Sequence, residues 1–469
     1  MYTNRNSIFI ALNVTFLIAL FIVFYPPIYA IQDEADYFGF AYKLKCGTMF
    51  FDPLSSHKIF FNGEHYVDMY PPGMAILLLP FALIYLKAFF LLNPLLHFIG
   101  FVFFTKSLRL LKLDIRLSLL YLFFPTVILY SRTIMPDAAI GSLISIAVYF
   151  YLKGGRRCNF FSGLIFGFLV LIKNALLIIP VIFLLCLTYK QYFKKQTGQN
   201  SASSFFIGLL PFTLAAVIYN LAMFKNIIST MVAGGGTLSP MFLPGHFLFY
   251  FIFLVLFYPF MFFAPLMYKR EGRLEFILSA LIYVIFISMW SFIQPADGNL
   301  ARLIVGSRYL TAVLPIYLLT YSDFIDRMFS KLEENIKTPI FIVATLMLIY
   351  SAYQINAHHQ RYLEQQLHYK DTLYNNTREG AFIVCNGQAK ELLQKAWGDR
   401  KWLTFTDSQL SKYVKLYDEF YIVAFLRKDK LKGFAEDAKR KNALVKEYNA
   451  MLVAEIKQPY MLQIYKANK

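Results

Sequence analysis

The sequence predicts a mainly α fold, a polytopic transmembrane helical bundle followed by a small C-terminal α/β domain outside the membrane. Three observations carry that expectation. Of 469 residues, 58% are hydrophobic and 18% aromatic against 16% charged, more apolar surface than a water-soluble chain of this length can bury. Apolar runs follow one another from Ile8 to Ile355, many near the roughly 20 residues that cross a hydrocarbon core of about 30 Å. After Ile355 the composition turns abruptly polar and charged, and short alternating segments replace the long runs.

The first run, Ile8 to Ile31, is long enough to span, has a single Arg before it and no small-residue cleavage site after it. It therefore reads as a retained helix rather than a signal peptide. Five basic clusters orient the rest, because Lys and Arg are retained on the cytoplasmic side: Lys106/Arg109/Lys112/Arg116, Lys153/Arg156/Arg157, Lys190/Lys194/Lys195, Lys269/Arg270/Arg273 and Arg327/Lys331/Lys337. Setting these and the N-terminus inside gives about eleven spans, near 8–30, 88–108, 116–131, 138–153, 159–173, 175–189, 203–224, 246–268, 274–293, 309–326 and 338–356. The odd count puts the C-terminus outside. The apolar stretch 72–86 is left over and reads as an interfacial or re-entrant helix.

Residues 1–356 then form the membrane domain, with 32–70 as a long outer loop, and 357–469 the extramembrane domain. Further outer segments are the Gly-rich 225–245 and the polar 294–308. In the C-terminal domain Ala381–Cys385, Trp402–Phe405, Tyr421–Leu426, Met451–Ile456 and Leu462–Tyr465 read as strands. Lys390–Ala396, Ser408–Leu416 and Leu431–Val445 read as amphipathic helices between them.

The formal net charge of +18 is spread over short loops, so it reports topology and not a nucleic-acid partner. Cys46, Cys158, Cys186 and Cys385 lack metal-ligand spacing and imply no disulfide framework; His65, His246, His358 and His359 lack the spacing of a zinc site. Gly234-Gly235-Gly236 lacks the Lys-Ser/Thr of a nucleotide-binding loop.

The residues that could carry chemistry gather on the outer side. Gln32-Asp33-Glu34-Ala35-Asp36-Tyr37 places three carboxylates at the lipid–water boundary, where desolvation and mutual repulsion favour proton uptake, as a general base requires. A solvated acidic loop is the plain alternative. Tyr70-Pro71-Pro72-Gly73 fixes a turn into the leftover apolar segment. Ser131-Arg132 and Met135-Pro136-Asp137 lie at the outer end of the third span. Lys173 stands between two apolar runs on the wrong face for a topology charge, so it is either a snorkelling Lys or a phosphate ligand. Gly306-Ser307-Arg308-Tyr309 brings a second cation to that depth, and the guanidinium fork suits phosphate.

Together, Asp33-Glu34, Tyr70-Pro71-Pro72-Gly73, Met135-Pro136-Asp137, Lys173 and Gly306-Ser307-Arg308-Tyr309 resemble the motif order of the GT-C superfamily of membrane glycosyltransferases, especially bacterial relatives of protein O-mannosyltransferases and of the lipid A aminoarabinose transferase. The match covers most of residues 1–330. It implies an inverting transferase of the bacterial inner membrane, with a polyprenyl-phosphate-linked sugar as donor and membrane lipids around it. Asp33 would be the catalytic acidic residue, deprotonating or orienting the acceptor hydroxyl, with Glu34 and Asp137 beside it; Lys173, Arg308 and Arg132 would hold the donor phosphate; Asp36, Tyr37, Tyr70 and Tyr309 would line the substrate loop. Some members hold a divalent cation at the acidic motif, for which Asp33, Glu34 and Asp137 could supply hard oxygen ligands; whether one binds here stays open. Tyr70 stands where the aminoarabinose transferases carry Lys, so their sugar and acceptor are not carried over. The acceptor, whether lipid, glycan or protein, also stays open. The rival readings are a transporter or flippase of lipid-linked sugars, whose midplane charges and paired halves are not apparent, and an envelope polysaccharide polymerase or ligase.

Overall fold

A computed structural model describes residues 2–29, 31–54, 59–84, 86–193, 201–227, 238–290, 306–393, 400–426 and 431–468. Gly234-Gly235-Gly236 and residues 294–305 of the expected outer loop lie outside the described residues. The chain divides into two compact units, residues 1–25 with 69–358, and 26–68 with 359–469. Residues 32–70 read in sequence as a loop of the membrane domain; packing groups nearly all of that stretch with the C-terminal residues.

The first unit is helical: α1 (Tyr2–Val23), then, after residues of the other unit that include α2 (Gln32–Lys45), α3 (Gly73–Ile84), α4 (Leu92–Leu110), α5 (Pro125–Ser131), α6 (Pro136–Lys153), α7 (Arg156–Ile172), α8 (Ile178–Tyr192), α9 (Ala202–Phe224), α10 (Leu243–Phe257), α11 (Arg273–Ser288), α12 (Leu314–Phe329) and the start of α13 (Glu334–Asn375). Among the described residues four helices are long and apolar enough to cross a membrane, or six if each of two bent pairs counts as one span. The leftover segment expected at 72–86 is the short apolar helix α3.

The expected span 116–131 is not one helix. A 3-10 turn (Ile115–Ser118) and a single helical turn (Leu119–Leu122) stop before Phe124, which is extended, and α5 starts afresh at Pro125. Proline lacks the amide hydrogen a continuing helix needs and holds the residue before it out of helical geometry. Pro136 does the same one helix later, so α5 and α6 meet at 118°. The expected span 246–268 is also broken, between Phe257 and Met261.

Helix packing relies on missing side chains. A Cβ on Gly163 of α7 would lie 2.0 Å from the Phe205 carbonyl oxygen of α9, and one on Gly208 of α9 2.1 Å from that of Phe160. Small residues let backbones touch where lipid supplies no hydrophobic drive. Gly163→Leu is therefore expected to lower thermal stability in detergent by about 1–3 kcal/mol. Gly245→Ala, where an added Cβ meets nothing, should melt as wild type.

The second unit contains α2, a three-stranded antiparallel sheet of β1 (Phe50–Phe51), β2 (Ile59–Phe61) and β3 (Tyr66–Asp68) in order β1-β3-β2, and a five-stranded sheet. The latter comprises β4 (Phe382–Cys385), β5 (Lys401–Thr404), β6 (Glu419–Leu426), β7 (Met451–Ile456) and β8 (Met461–Asn468), in order β5-β4-β6-β8-β7. Strands β5, β4 and β6 run parallel; β8 pairs antiparallel with β6 and β7. The five strands fall on the segments expected from sequence. Helices α14 (Gly387–Leu392), α15 (Leu410–Val414) and α16 (Leu431–Glu447) overlap the three expected ones, with 394–399 outside the described residues.

Alternation along the strands makes two cores. Ile383, Cys385, Val423 and Phe425 pack with Tyr369 and Leu373 of α13; Phe382, Val384, Phe420, Ile422 and Ala424 pack with Leu54. Burial pushes the Cys385 thiol up to about 12, so at pH 8 it stays a thiol and resists alkylation, since the thiolate is the nucleophile. Maleimide followed by mass spectrometry should label exposed Cys46 and spare Cys385 until the protein is unfolded. Both cysteines are free.

Candidate functional site

Four of the five sequence motifs lie in the first unit; the structure brings those of Lys173, Arg308-Tyr309 and Asp137 to the surroundings of one ring and packs the Tyr70-Pro71-Pro72-Gly73 turn, through Gly73, on the backbone just before Lys173. Tyr309 sits in the 3-10 turn Ser307–Ala312, directly before α12. The Lys173 ammonium lies 4.6 Å from its ring centroid and the Arg308 guanidinium 4.9 Å. Arg308 Nη2 also donates to the Tyr309 hydroxyl at 3.0 Å and bonds the Tyr130 side chain. Tyr130, Asp137, Tyr250 and Tyr283 complete the electrostatic neighbourhood of Arg308 and Tyr309.

Each member is placed for a local reason. Lys173 is extended and ends α7, because the chain breaks there before a 3-10 turn (Asn174–Leu177) and α8. Gly73 opens α3 against that same break: a Cβ on it would fall 2.6 Å from Ile172 N, so only glycine lets the Tyr70-Pro71-Pro72-Gly73 turn approach so closely. Asp137 stands in the first turn of α6, where the helix dipole favours a carboxylate. The turn holding Arg308 is tied to α5 by a Thr126–Ser307 hydroxyl pair at 2.6 Å. Lys173, Arg308 and Tyr309 are half-buried, while Tyr130 and Asp137 are buried.

Asn93 is a residue the sequence reading missed. Fully buried on α4, its amide donates to the carbonyls of Thr133 and Met135, both at 2.7 Å. Both carbonyls lie in the α5–α6 break, so the Asn93 amide ties the break to α4, and in an apolar surrounding the irregular backbone there needs such donors. Two proline-started helices after an apolar Asn-bearing segment are the only trace this arrangement leaves in the sequence.

Arg132, expected with the phosphate ligands, points elsewhere. It is buried, and its two terminal nitrogens donate to the carbonyls of Asn356 (2.6 Å) and Phe24 (2.5 Å). The adjoining cavity, lined by Pro94, His97, Ser131 and Arg132 among others, holds about 10 Å³, room for one water and not for a phosphate.

The fifth motif lies in the second unit and is helical, not a loop. Asp33 and Glu34 occupy the first turn of α2, and Lys43 and Lys45 its last, the charge order that the helix dipole favours. Glu34 is buried, and its Oε2 accepts the Ile31 amide at 3.1 Å, closing the helix start as in a capping box. Asp33 is half-buried; Asp36 and Tyr37 are buried. Tyr70 is half-buried in the first unit. Within neither unit do three or more His, Cys, Asp or Glu of the described residues group closely enough to hold a metal ion. Of the carboxylates considered as cation ligands, Asp33 and Glu34 belong to one unit and Asp137 to the other, and Glu34 has one oxygen engaged at its own helix start.

No family model matches the chain, and no curated protein matches it in sequence. Solved structures do. ArnT from Cupriavidus metallidurans bound to undecaprenyl phosphate aligns over 98% of both chains with a TM-score of 0.65 at 12% identity. The Archaeoglobus fulgidus oligosaccharyltransferase tethered with an acceptor peptide aligns over 99% of this chain and 74% of its own, with a TM-score of 0.56 at 12% identity. The same organism's AglB, in complex with an inhibitory peptide and a dolichol-phosphate, aligns over 97% and 74%, with a TM-score of 0.50 at 11% identity. The chain thus shares its overall fold with these solved structures.

Proposed function

We propose that the protein is an inverting glycosyltransferase that moves a sugar from a polyprenyl-phosphate donor to an acceptor at the outer face of a bacterial inner membrane, with its N-terminus inside and its C-terminal domain outside. The observation that carries this reading is the pair of cations on Tyr309. Two like charges within 5 Å of one ring centroid repel each other, and the donor phosphate, singly charged as a diester and doubly charged once it has left the sugar, relieves that repulsion while using the guanidinium fork. The fold similarity to a protein bound to undecaprenyl phosphate supplies the lipid carrier.

In this reading Lys173 and Arg308 bind the donor phosphate and stabilise the charge that grows on it as it leaves. Tyr309 and Tyr130 orient Arg308, and Asp137 organises the tyrosines around it. Asp33 takes the proton of the acceptor hydroxyl as its oxygen bonds to the anomeric carbon and the bond from that carbon to the phosphate oxygen breaks. Glu34, engaged at the helix start, is the poorer base of the two. Incubation of the purified protein with candidate polyprenyl-phosphate sugars, followed by mass spectrometry, tests the proposal. Release of the lipid phosphate with a glycosylated acceptor supports it. Movement of the intact donor across proteoliposomes without release would make the protein a flippase instead.

A further inference from the structure

Lys370 lies on α13, outside every motif that the sequence singled out, and none of its surface reaches solvent. Its ammonium donates to the Tyr29 carbonyl at 2.7 Å and stands 3.9 Å from the centroid of the Tyr29 ring. Taking an ammonium out of water costs several kcal/mol even after relaxation, and lysine is among the residues least often fully buried. A buried lysine bonded to main chain and set against a ring therefore marks a place where position matters.

That place is the entrance to the acidic helix. Tyr29 precedes by two residues the Ile31 cap of α2, whose first turn carries Asp33 and Glu34. The Tyr29 ring packs toward Phe38 of α2, centroid to centroid 6.2 Å. Lys370 thus holds the approach to α2 by its main chain, while the Tyr29 ring holds it to the helix body. A second cation addresses α2 from the same unit: burial pushes the Lys390 ammonium below the usual lysine range, against the opposing influence of Cys385, Asp407 and Asp36. Lys390 follows the carboxyl end of β4, the edge where parallel strands of α/β domains present their functional groups.

Resting on the transferase reading above, we infer that Lys370 is a positioning residue for the acidic helix: by fixing the main chain at Tyr29 it sets where the Asp33 carboxylate stands. It acts through the backbone and touches no reacting atom. The C-terminal unit, on this inference, belongs to the catalytic apparatus and is more than an accessory.

The test uses the full-length protein in three forms: wild type, Lys370→Met, which keeps length and volume but loses the charge and the donors, and Lys370→Arg, which keeps a donor. Lys370→Met is expected to lower kcat about 100-fold, the scale of an ångström-sized misplacement, with the donor KM within about twofold of wild type. Lys370→Arg should recover about tenfold of that loss. Amide exchange should rise at residues 31–38 in Lys370→Met while residues 419–426 of β6 stay protected. Wild-type kcat in Lys370→Met, unchanged exchange at 31–38, or exchange rising equally through β6 would each overturn the inference, the last by making Lys370 a general stabiliser. Should wild type release no lipid phosphate from any donor while exchange at 31–38 alone responds, the transferase reading fails and the positioning of α2 stands.

Discussion

Asp33→Asn is expected to cut sugar transfer by about 1,000-fold, within the range that a positioned general base contributes, without loss of folded protein. The amide is nearly isosteric and still accepts hydrogen bonds at the start of α2, so the helix keeps its geometry, but it cannot take the acceptor proton. Asp33 is the carboxylate of the first turn that retains partial exposure, while Glu34 is buried with an oxygen on the Ile31 amide. The rate of polyprenyl-phosphate release, read by mass spectrometry beside a thermal melt, checks both halves of the expectation. A variant that melts normally and turns over at the wild-type rate would remove Asp33 from the chemistry.

Arg308→Ala is expected to slow transfer by about 100- to 1,000-fold, the usual loss when one donor to a developing oxyanion is removed. Arg308 joins the Tyr309 hydroxyl at 3.0 Å and the Tyr130 side chain, so its removal also frees the tyrosines that frame the site. Lys173→Ala should act in the same direction. On the proposal that both cations address one phosphate, the double variant should lose less than the product of the two single losses. Arg308→Lys should recover part of the rate only, since a point charge replaces a planar fork. Steady-state kcat and KM for the donor decide the matter: a change confined to the acceptor KM would place Arg308 away from the phosphate.

Legibility in the sequence followed the range of the interactions involved. The strands of the C-terminal domain were readable because alternation is local, and β6 (Glu419–Leu426) overlaps the segment expected from its apolar run. Lys173 and Arg308 stood out because, in the topology expected from the basic clusters, a cation at either position breaks the pattern. The helix α2 was misread as a loop although Asp33 and Glu34 at its start and Lys43 and Lys45 at its end are an ordinary helix signature; its position between apolar runs outweighed its own pattern. Pro125 in the expected span 116–131 was likewise outweighed by the apolar residues around it, and the break it causes holds Tyr130 and Asp137 in place.

The sequence by itself determined the membrane class, the α/β character of residues after Ile355 and the short list of charged residues worth testing. Length, periodicity and charge asymmetry are properties of neighbouring residues, so they survive without coordinates. Only the tertiary structure decided that Lys173 and Arg308 share the Tyr309 ring, that Arg132 serves the carbonyls of Phe24 and Asn356, and that Lys370 grips Tyr29, 341 positions away. A buried cation is used by whatever packing brings to it, and partners hundreds of residues apart leave no local pattern by which to find them.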